Sequence, residues 1–320
     1  MEFLHFLEGL RNPVFDFLFS IITLLGEETL FMAIGLTFFW CVSKSQGYYL
    51  LCTGFVGTAI NQFLKMIIRV PRPWVLDPKF TIVESAREGA SGYSFPSGHT
   101  QTSVGLFGGI ARANKSWVIR VVSVALCVLV PFSRMYLGVH TPDDVGVSIF
   151  IALFLVFVLY PLFMKAIECP WMMYAILIAI TVLLTAYLVF ITSHVFPADV
   201  YLEENFHNLA SARKNGFTLM GCIIGFFVVY TVDLLWVKFD TKAVWWVQII
   251  KVAVGLALVL AVKELLKIPL NAIMPNEMDT WARLIRYFAV AVVGGALWPM
   301  SFALFNKLTG KNKKKKTESI

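Results

Sequence analysis

Long apolar stretches separated by short polar loops are the main pattern of this sequence. Nine of them approach the ~20 residues that a helix needs to cross a bilayer. The predicted spans are residues 29–44, 48–68, 98–113, 117–135, 142–164, 171–193, 215–237, 243–266 and 282–306. The apolar stretch Pro13 to Leu25 is shorter and runs into Gly26, so we expect an interfacial or re-entrant helix there. The pattern predicts an all-α polytopic membrane bundle of about nine transmembrane helices plus an N-terminal interfacial helix.

The order of these elements suggests four parts. Residues 1–28 form the interfacial segment, 29–164 a core bundle, 165–306 additional transmembrane helices, and 307–320 a basic tail. Loops 194–214 and 267–281 are expected on the same side as the polar motifs of the core, where they would cover those motifs and select a ligand.

Composition supports a membrane protein, because 58% of the 320 residues are hydrophobic and 15% are charged. Residues 1–11 carry Glu2 and Glu8 and lack the basic start of a cleavable signal peptide. The five cysteines, which are expected to be buried thiols, show no CxxC spacing that would indicate a metal site or disulfide framework. They are Cys41, Cys52, Cys127, Cys169 and Cys222.

Basic residues collect on one side of the predicted spans. These residues are Lys44, Arg112, Lys115, Arg120, Lys165, Lys238, Lys242, Lys307, Lys311 and Lys313 to Lys316. The positive-inside rule makes this side cytoplasmic, so the opposite loops face outward or into a lumen. The net charge of +7 owes much to the tail, which is expected to contact anionic lipid headgroups. Nucleic-acid binding is not expected from one short basic run.

Lys65 and Arg72 frame the first polar motif, KMIIRVPRP at 65–73. Seven residues are two helical turns, so a helix carrying both would present them on one face, with Pro71 and Pro73 ending it. The alternative is that Lys65 snorkels from the end of a span while Arg72 anchors at the headgroups.

The second motif, PSGH at 96–99, predicts the start of a helix. Ser97 is expected to be its N-cap, and free backbone N–H groups at such an end bind anions. Gly98 would allow a phosphate oxygen to approach the backbone, with His99 beside it. An ordinary capped helix with an interfacial histidine is the alternative.

The third motif, SRMYLGVHTPDD at 133–144, holds Arg134 near a span end and His140 before another helix start. Asp144 follows His140 by four residues, which on a helical path allows a hydrogen bond to the ring. A carboxylate there fixes the tautomer and stabilises a positive imidazole. The alternative is a capping role for Asp143 or Asp144.

These three motifs resemble the KxxxxxxRP, PSGH and SRxxxxxHxxxD motifs of the type 2 phosphatidic acid phosphatase superfamily. The resemblance covers roughly residues 29–164 and implies a metal-independent phosphatase without a cofactor. It implies that His140 attacks phosphorus, that Asp144 orients it, and that His99 protonates the leaving oxygen. Lys65, Arg72 and Arg134 would bind the phosphoryl oxygens, helped by Ser97 and the Gly98 backbone.

Several readings of the ligand stay open. A lipid phosphate, either a monoester or a diphosphate, is the leading hypothesis, because apolar helices suit an amphiphile. The nine-span layout and RPWVLD at 72–77 also resemble the glucose-6-phosphatase branch, which would make the substrate a sugar phosphate. A phosphotransferase could use the same phosphohistidine. From another class, a non-catalytic transporter or receptor would need only the cations.

Residues outside the motifs give weaker signals. Trp74, Phe80 and Tyr93, near the site entrance, are expected to be membrane-belt aromatics, with contact to an acyl chain or a headgroup as the alternative. Asp233 and Lys251 lie in or near later spans, where they would pair within the bundle or sit at span ends. His5, His194 and His207 are expected in interfacial or loop positions. Oligomeric state is not predicted.

Overall fold

A computed structural model of the protein describes the backbone of residues 1–166, 168–197, 203–274 and 279–308. It describes the same side chains except those of 203–206, 279 and 306–308. Of the basic tail 307–320, only the first two backbone positions fall within these ranges. Parts of the two predicted covering loops also lie outside the described residues.

All regular structure in these ranges is helical, which confirms the predicted fold class. The helices are α1 Glu2–Gly9, α2 Pro13–Leu24, α3 Glu28–Thr37, α4 Lys44–Ile68, α5 Pro73–Leu76, α6 Gly98–Ala113, α7 Trp117–Tyr136, α8 Pro142–Ala166, α9 Pro170–Ser193, α10 Glu203–Val232, α11 Trp245–Leu265, α12 Lys267–Ile273, α13 Asp279–Val292, α14 Trp298–Met300 and α15 Phe302–Leu308. Three of them continue or begin at π-helical turns, Phe38–Val42, Asp233–Val237 and Val293–Leu297.

Every predicted span is helical, but the count of nine is not confirmed. Within the described residues, six helical segments are long and apolar enough to cross a membrane. They are Lys44–Leu76, Trp117–Tyr136, Pro142–Ala166, Pro170–Ser193, His207–Val237 and Thr280–Phe305. A seventh arises if Pro13–Leu24 and Glu28–Val42, bent by 50°, form one broken span. Helix α6 has 16 residues, about 24 Å of helix, and is short for a ~30 Å core.

The described residues form two compact units. The first contains Met1–Ile34, Tyr49–Cys169 and Ala186–Gly216, and the second contains Gly35–Tyr48, Pro170–Thr185 and Phe217–Ile320. The four-part division expected from the sequence stays a prediction.

Helix α6 is the centre of the first unit, where it packs against α7 and α8. Its other side approaches α4 at two glycines. A Cβ on Gly57 would lie 2.6 Å from the Gln101 amide nitrogen, and one on Gly109 would lie 2.7 Å from Leu50. A side chain at either glycine would force Gln101 or Leu50 to shift, so glycine lets the two helices approach closely.

Lys65 and Arg72 do not share a helix, which corrects the expectation of a common helical face. Helix α4 ends at Ile68, and Arg72 lies in the link to α5 with φ −70° and ψ 154°. Arg69, in the left-handed region at φ 54°, turns the chain at this point. Pro73 also restricts the preceding residue to extended conformations, because its ring would clash with a helical neighbour.

Several buried polar groups of the second unit form hydrogen bonds within that unit. Trp40 is fully buried and its indole N–H donates to the carbonyl of Gly294 at 2.8 Å. Asp233 does not pair with Lys251, contrary to one of the expectations. It bonds Lys44 at 2.7 Å, while the Lys251 ammonium donates to the Asp240 and Thr241 carbonyls at 3.2 and 3.4 Å.

The five cysteines are free thiols, as predicted, but only Cys52 and Cys222 are buried. The other three are half-buried. Helical apolar stretches place a residue on either the packed or the lipid side, and sequence alone does not separate the two.

Candidate active site

The eight residues predicted to handle phosphate all lie in the first unit, at the ends of its helices. Lys65 is in the last turn of α4, and Arg72 is in the link that follows. Ser97, Gly98 and His99 begin α6. Arg134 is in the last turn of α7, and His140 and Asp144 begin α8. Six of the eight are buried, whereas Gly98 and His99 are half-buried.

His140 and Asp144 are hydrogen-bonded to each other. The Nδ1 atom of His140 lies 3.3 Å from Oδ2 of Asp144, and the exposed fraction is 1% for each residue. The same Oδ2 accepts the backbone N–H of Thr141 at 2.8 Å, and the Asp144 N–H donates to Thr141 Oγ1 at 3.3 Å. Asp144 therefore fills both expected roles at once, because it caps α8 and contacts the imidazole.

Arg72 fixes the tautomer of His140. Its Nη1 lies 3.0 Å from Nε2 of His140, and a guanidinium has only donors. Nε2 must therefore accept this bond, which leaves the proton of a neutral ring on Nδ1, facing Asp144. The lone pair of Nε2 points to the cationic side of the site, which is the geometry that a nucleophilic nitrogen needs.

The surroundings keep His140 neutral. Burial lowers its pKa well below the usual 6.5, and the positive charges of Arg72, Arg134 and Lys65 lower it further. A neutral imidazole is the form that can attack an electrophile, since protonation would occupy the lone pair.

Backbone carbonyls of the 91–94 segment hold two of the cations. The Lys65 ammonium donates to the carbonyls of Tyr93 and Ser94, the latter at 3.5 Å. Arg72 donates to Ser91 at 2.8 Å and to Gly92 at 3.0 Å. A carbonyl satisfies a donor without cancelling its charge, so the site keeps a positive potential.

Arg134 has unused donors. Its Nη1 bonds the hydroxyl of Thr23 at 2.8 Å, and its exposed fraction is 1%. Its Nε and Nη2 atoms are buried and have no hydrogen-bond partner among the described residues. Unsatisfied buried donors of a guanidinium are costly, and an anion bound in the site would satisfy them.

The start of α6 has the expected cap. Ser97 Oγ accepts the N–H of Thr100 at 3.4 Å, and the Ser97 N–H donates to the Asp144 carbonyl at 3.1 Å. Within the described ranges, the N–H groups of Gly98 and His99 have no acceptor. They provide two donors at the positive end of a helix. A Cβ on Gly98 would meet only Asn61, at 4.0 Å, so the space above the backbone is open.

Sequence reasoning missed several residues that shape the site. Ser94 donates to Asp144 Oδ2 at 2.5 Å and lies 3.4 Å from His140 Nδ1. Thr23 holds Arg134 from the distant helix α2. Gly89 lies beside the His99 ring, where a Cβ would be 3.8 Å from Nε2. Only Ser94, two residues before PSGH, had a position that could have suggested a role.

The loop aromatics differ from the expected membrane belt. Phe80 and Tyr93 are buried, each with 4% exposure. Phe80 packs edge-on against His5 with centroids 5.3 Å apart, and Trp74 lies under Arg72 and Arg87. These side chains support the loop and do not form a lipid-facing girdle.

Several helices are long and apolar enough to cross a membrane, and the buried site combines cations with a histidine and an aspartate. These features define a membrane protein with a candidate phosphate site. Comparison with known families agrees. Residues 45–168 match the PAP2 superfamily, and residues 217–312 match the transmembrane extension of PAP2 superfamily phosphatases. Together the two matches cover more than half of the chain. The chain therefore belongs to the PAP2 superfamily.

Curated relatives carry phosphatase names. A probable sphingosine-1-phosphate phosphatase from Dictyostelium discoideum is 29% identical over 160 residues, which is 46% of this chain and 38% of the relative. The undecaprenyl-diphosphatase BcrC of Bacillus subtilis (strain 168) is 30% identical over 118 residues, which is 37% of this chain and 58% of the relative. The chain thus spans only about two to three fifths of the length of these relatives.

One solved structure is similar to part of the chain. The crystal structure of Aquifex aeolicus LpxE aligns with a TM-score of 0.43 and 24% identity, over 49% of this chain and 92% of that one. A similarity of this size carries no argument about activity.

Proposed function

We propose that the protein is an integral-membrane phosphatase that removes phosphate from a lipid phosphomonoester or diphosphate through a phosphohistidine on His140. The observation that supports this most directly is the His140 ring between Arg72 at Nε2 and Asp144 at Nδ1. A site that only binds phosphate needs cations, but it has no use for a neutral, oriented imidazole backed by a carboxylate.

In the first proposed step, Nε2 of His140 attacks phosphorus as the bond from phosphorus to the lipid oxygen breaks. Lys65, Arg72 and Arg134 stabilise the charge on the phosphoryl oxygens, together with the N–H groups at the start of α6. Asp144 stabilises the imidazolium that forms. His99 gives its proton to the departing oxygen.

In the second step, water attacks phosphorus and the N–P bond breaks. His99, which has given up its proton, takes a proton from the water, and inorganic phosphate leaves. One histidine thus acts first as acid and then as base. The chain's own cations supply the charge neutralisation that a metal ion would otherwise provide, so metal independence is part of this proposal.

The first experiment is to trap the intermediate. Brief incubation of the purified protein with a ³²P-labelled lipid phosphate should leave acid-labile label on the wild type. His140→Ala should abolish label and turnover. The matched pair Asp144→Asn and Asp143→Asn tests the carboxylate, since Asp143 is exposed at the same helix start. Full activity of His140→Ala with an intact fold would refute the mechanism.

The names of the curated relatives favour a lipid substrate over a sugar phosphate. A panel of a sphingoid phosphate, phosphatidic acid, a polyprenyl diphosphate and glucose 6-phosphate, assayed in detergent with a chelator, tests the class. Faster turnover of glucose 6-phosphate would favour the sugar alternative. Phosphate release that depends on an added alcohol acceptor would favour a phosphotransferase.

We further propose nine spans, counting Glu28–Val42, Gly98–Ala113 and Trp245–Leu265 as crossings, with the site extracytoplasmic or lumenal and the tail cytoplasmic. The distribution of basic residues supports this orientation. Labelling of single cysteines placed at Lys79 and Lys115 by a membrane-impermeant thiol reagent tests it. Only the cysteine at 79 should react from outside.

A further inference from the structure

A long apolar groove runs along the surface of the first unit between α6, α7 and α8. Its volume is about 750 Å³. Met135 and Val145 line one end, next in sequence to the site residues Arg134 and Asp144. From Arg120 to Met135 along α7 is 15 residues, or about 22 Å. None of the eight predicted site residues lines the groove.

Gly108 creates space in this groove. A Cβ at residue 108 would lie 3.6 Å from Val156, 3.7 Å from Leu153 and 4.0 Å from the Cys127 sulfur. A longer side chain at this position would therefore extend over the α8 wall and fill the groove.

Two arginines line the other end. Arg112 lies over the Tyr160 and Phe157 rings, with its guanidinium carbon 4.6 and 5.9 Å from their centroids. Arg120 uses its Nε to bond the Asn114 carbonyl at 2.7 Å. Both are exposed, and Lys115, in the link between α6 and α7, is exposed as well. The end that lies away from His140 is therefore cationic, whereas the rest of the groove is apolar.

We propose that this groove binds an anionic phospholipid, with one acyl chain along Gly108 and the phosphate at Arg112 and Arg120. Charge decides the orientation. The hydrocarbon tail of a substrate that entered from the catalytic end would finish against two guanidinium groups, which is unfavourable. An anionic headgroup at this end would bind the two guanidinium groups, and its acyl chain would lie along the apolar part of the groove. The inference does not depend on the proposed phosphatase activity.

Lipid binding to the purified protein in neutral detergent tests the proposal, measured by native mass spectrometry with dioleoyl phosphatidylglycerol and dioleoyl phosphatidylcholine. Wild type should prefer phosphatidylglycerol. A basic residue near an anionic lipid contributes about 1 kcal/mol, or about fivefold in affinity. The variant R112Q/R120Q should therefore lose most of the preference, while R112K/R120K should keep it because the charge remains.

Two matched controls separate the groove from general charge and lipid contact. Lys165→Gln removes a cation from the last turn of α8, outside the groove lining, and should leave the preference within about twofold. Gly108→Leu should weaken binding of both lipids. Gly146→Leu, at an exposed glycine with nothing within 4 Å of its Cβ, should not.

The outcomes distinguish the alternatives. An unchanged preference in R112Q/R120Q, or an equal loss in Lys165→Gln, would overturn the proposal. A long-chain lipid phosphate provides a further test. If it competed with phosphatidylglycerol, and Gly108→Leu weakened its binding while R112Q/R120Q did not, the groove would hold a substrate tail and the proposal would fail. Circular dichroism and the elution volume in size-exclusion chromatography show whether each variant is folded. R112K/R120K is the folded comparison for R112Q/R120Q.

Discussion

Each compact unit contains cations that are buried or half-buried, and the bonding of Lys44 in the second unit differs from that of the cations in the first. In the second unit, the Lys44 ammonium contacts both Asp233 oxygens at 2.7 and 2.8 Å and lies 3.9 Å from the centre of the Phe239 ring. In the first unit, Lys65 and Arg72 bond mainly backbone carbonyls, and Arg134 keeps two unpaired donors among the described residues.

The difference separates structural charge from functional charge. A carboxylate cancels the charge of its partner, so the Lys44 pair is complete without a ligand. In the first unit, Lys65 and Arg72 have Asp144 as a nearby carboxylate and Arg134 has the exposed Glu27, so among the described residues the buried cations outnumber the buried carboxylates. Such an arrangement costs folding free energy, and an anion bound in the site would offset that cost. Lys251 is also held by carbonyls, but it is one cation against an aromatic ring and not part of a cluster.

Among the variants that test the comparison of the two units, Arg134→Met should have the largest effect. Loss of a preorganised donor to a developing phosphoryl charge lowers kcat/KM by about 10²–10³-fold. Because two of its donors are unpaired in the described structure, removing the guanidinium should not reduce thermal stability and is expected to raise it. Phosphate release and a melting curve on the same preparation check both parts.

A stability loss in Arg134→Met without a loss of activity would reverse the comparison, since Arg134 would then be structural. Arg120→Met is the matched control. It removes a guanidinium from the same helix, α7, at an exposed position remote from His140. Its activity in detergent should match that of the wild type.

Ser94→Ala should give the next largest effect. The hydroxyl donates to Asp144, and a hydrogen bond to a charged group is worth about 1.5–3 kcal/mol, which corresponds to roughly 10–100-fold in kcat. The loss should appear in kcat more than in KM, because the hydroxyl orients Asp144 and does not contact phosphate. Steady-state kinetics measures this split.

Ser103→Ala is the control for that variant, since among the described residues its buried hydroxyl bonds only the Thr100 carbonyl of its own helix, at 3.2 Å. Equal effects of the two substitutions, or a Ser94→Ala effect confined to KM, would contradict the orienting role.

Motif spacing predicted which residues would converge, because each motif sits at a helix end where the chain has little freedom. Ser97, Thr141 and Pro142 are local signals, and the structure has a helix start at both places. The all-helical fold followed from apolar stretches of span length. These predictions depend on neighbours in the sequence.

Long-range partners could not be predicted in the same way. Thr23 lies 111 residues from Arg134, and Lys44 lies 189 residues from Asp233. No local pattern encodes these pairs, so the sequence offers a pair with Lys251 or a position at a span end for Asp233 but not the bond to Lys44. The number of spans is also hard to predict from the sequence. Helix α6 is short and contains buried polar residues, which lower its mean hydropathy.

Asp233→Asn tests the second unit. The Asp233 side chain is 11% exposed and that of Lys44 is 25% exposed, so breaking the pair should cost about 1–2 kcal/mol, between the values for surface and buried ion pairs. Activity per folded molecule should be unchanged. Glu264→Gln, in an exposed contact with Lys263, should change stability by less than about 0.5 kcal/mol. A large activity loss in Asp233→Asn would break the distinction between the units.

The smallest expected effect concerns two histidines of the first unit whose pKa values shift in opposite directions. The exposed His5 bonds Asp77 at 3.0 Å and Glu8 at 2.8 Å, and these bonds raise its pKa above 6.5. Burial and the site cations lower the pKa of His140. NMR titration of ¹⁵N-histidine-labelled protein, assigned with single His variants, should therefore show His5 titrating above pH 6.5 and His140 below it. Asp77→Asn should lower the first midpoint alone.

The direction of the His140 shift also fixes a pH dependence. An unfolded chain protonates this ring near pH 6.5, whereas the folded protein resists protonation. The unfolded state therefore binds more protons below that pH, and the contribution of His140 to stability falls as the pH decreases through about 6.5. A His140 midpoint at or above 6.5 would mean that the ring is charged in the resting site. The neutral imidazole that the proposed mechanism requires would then be absent.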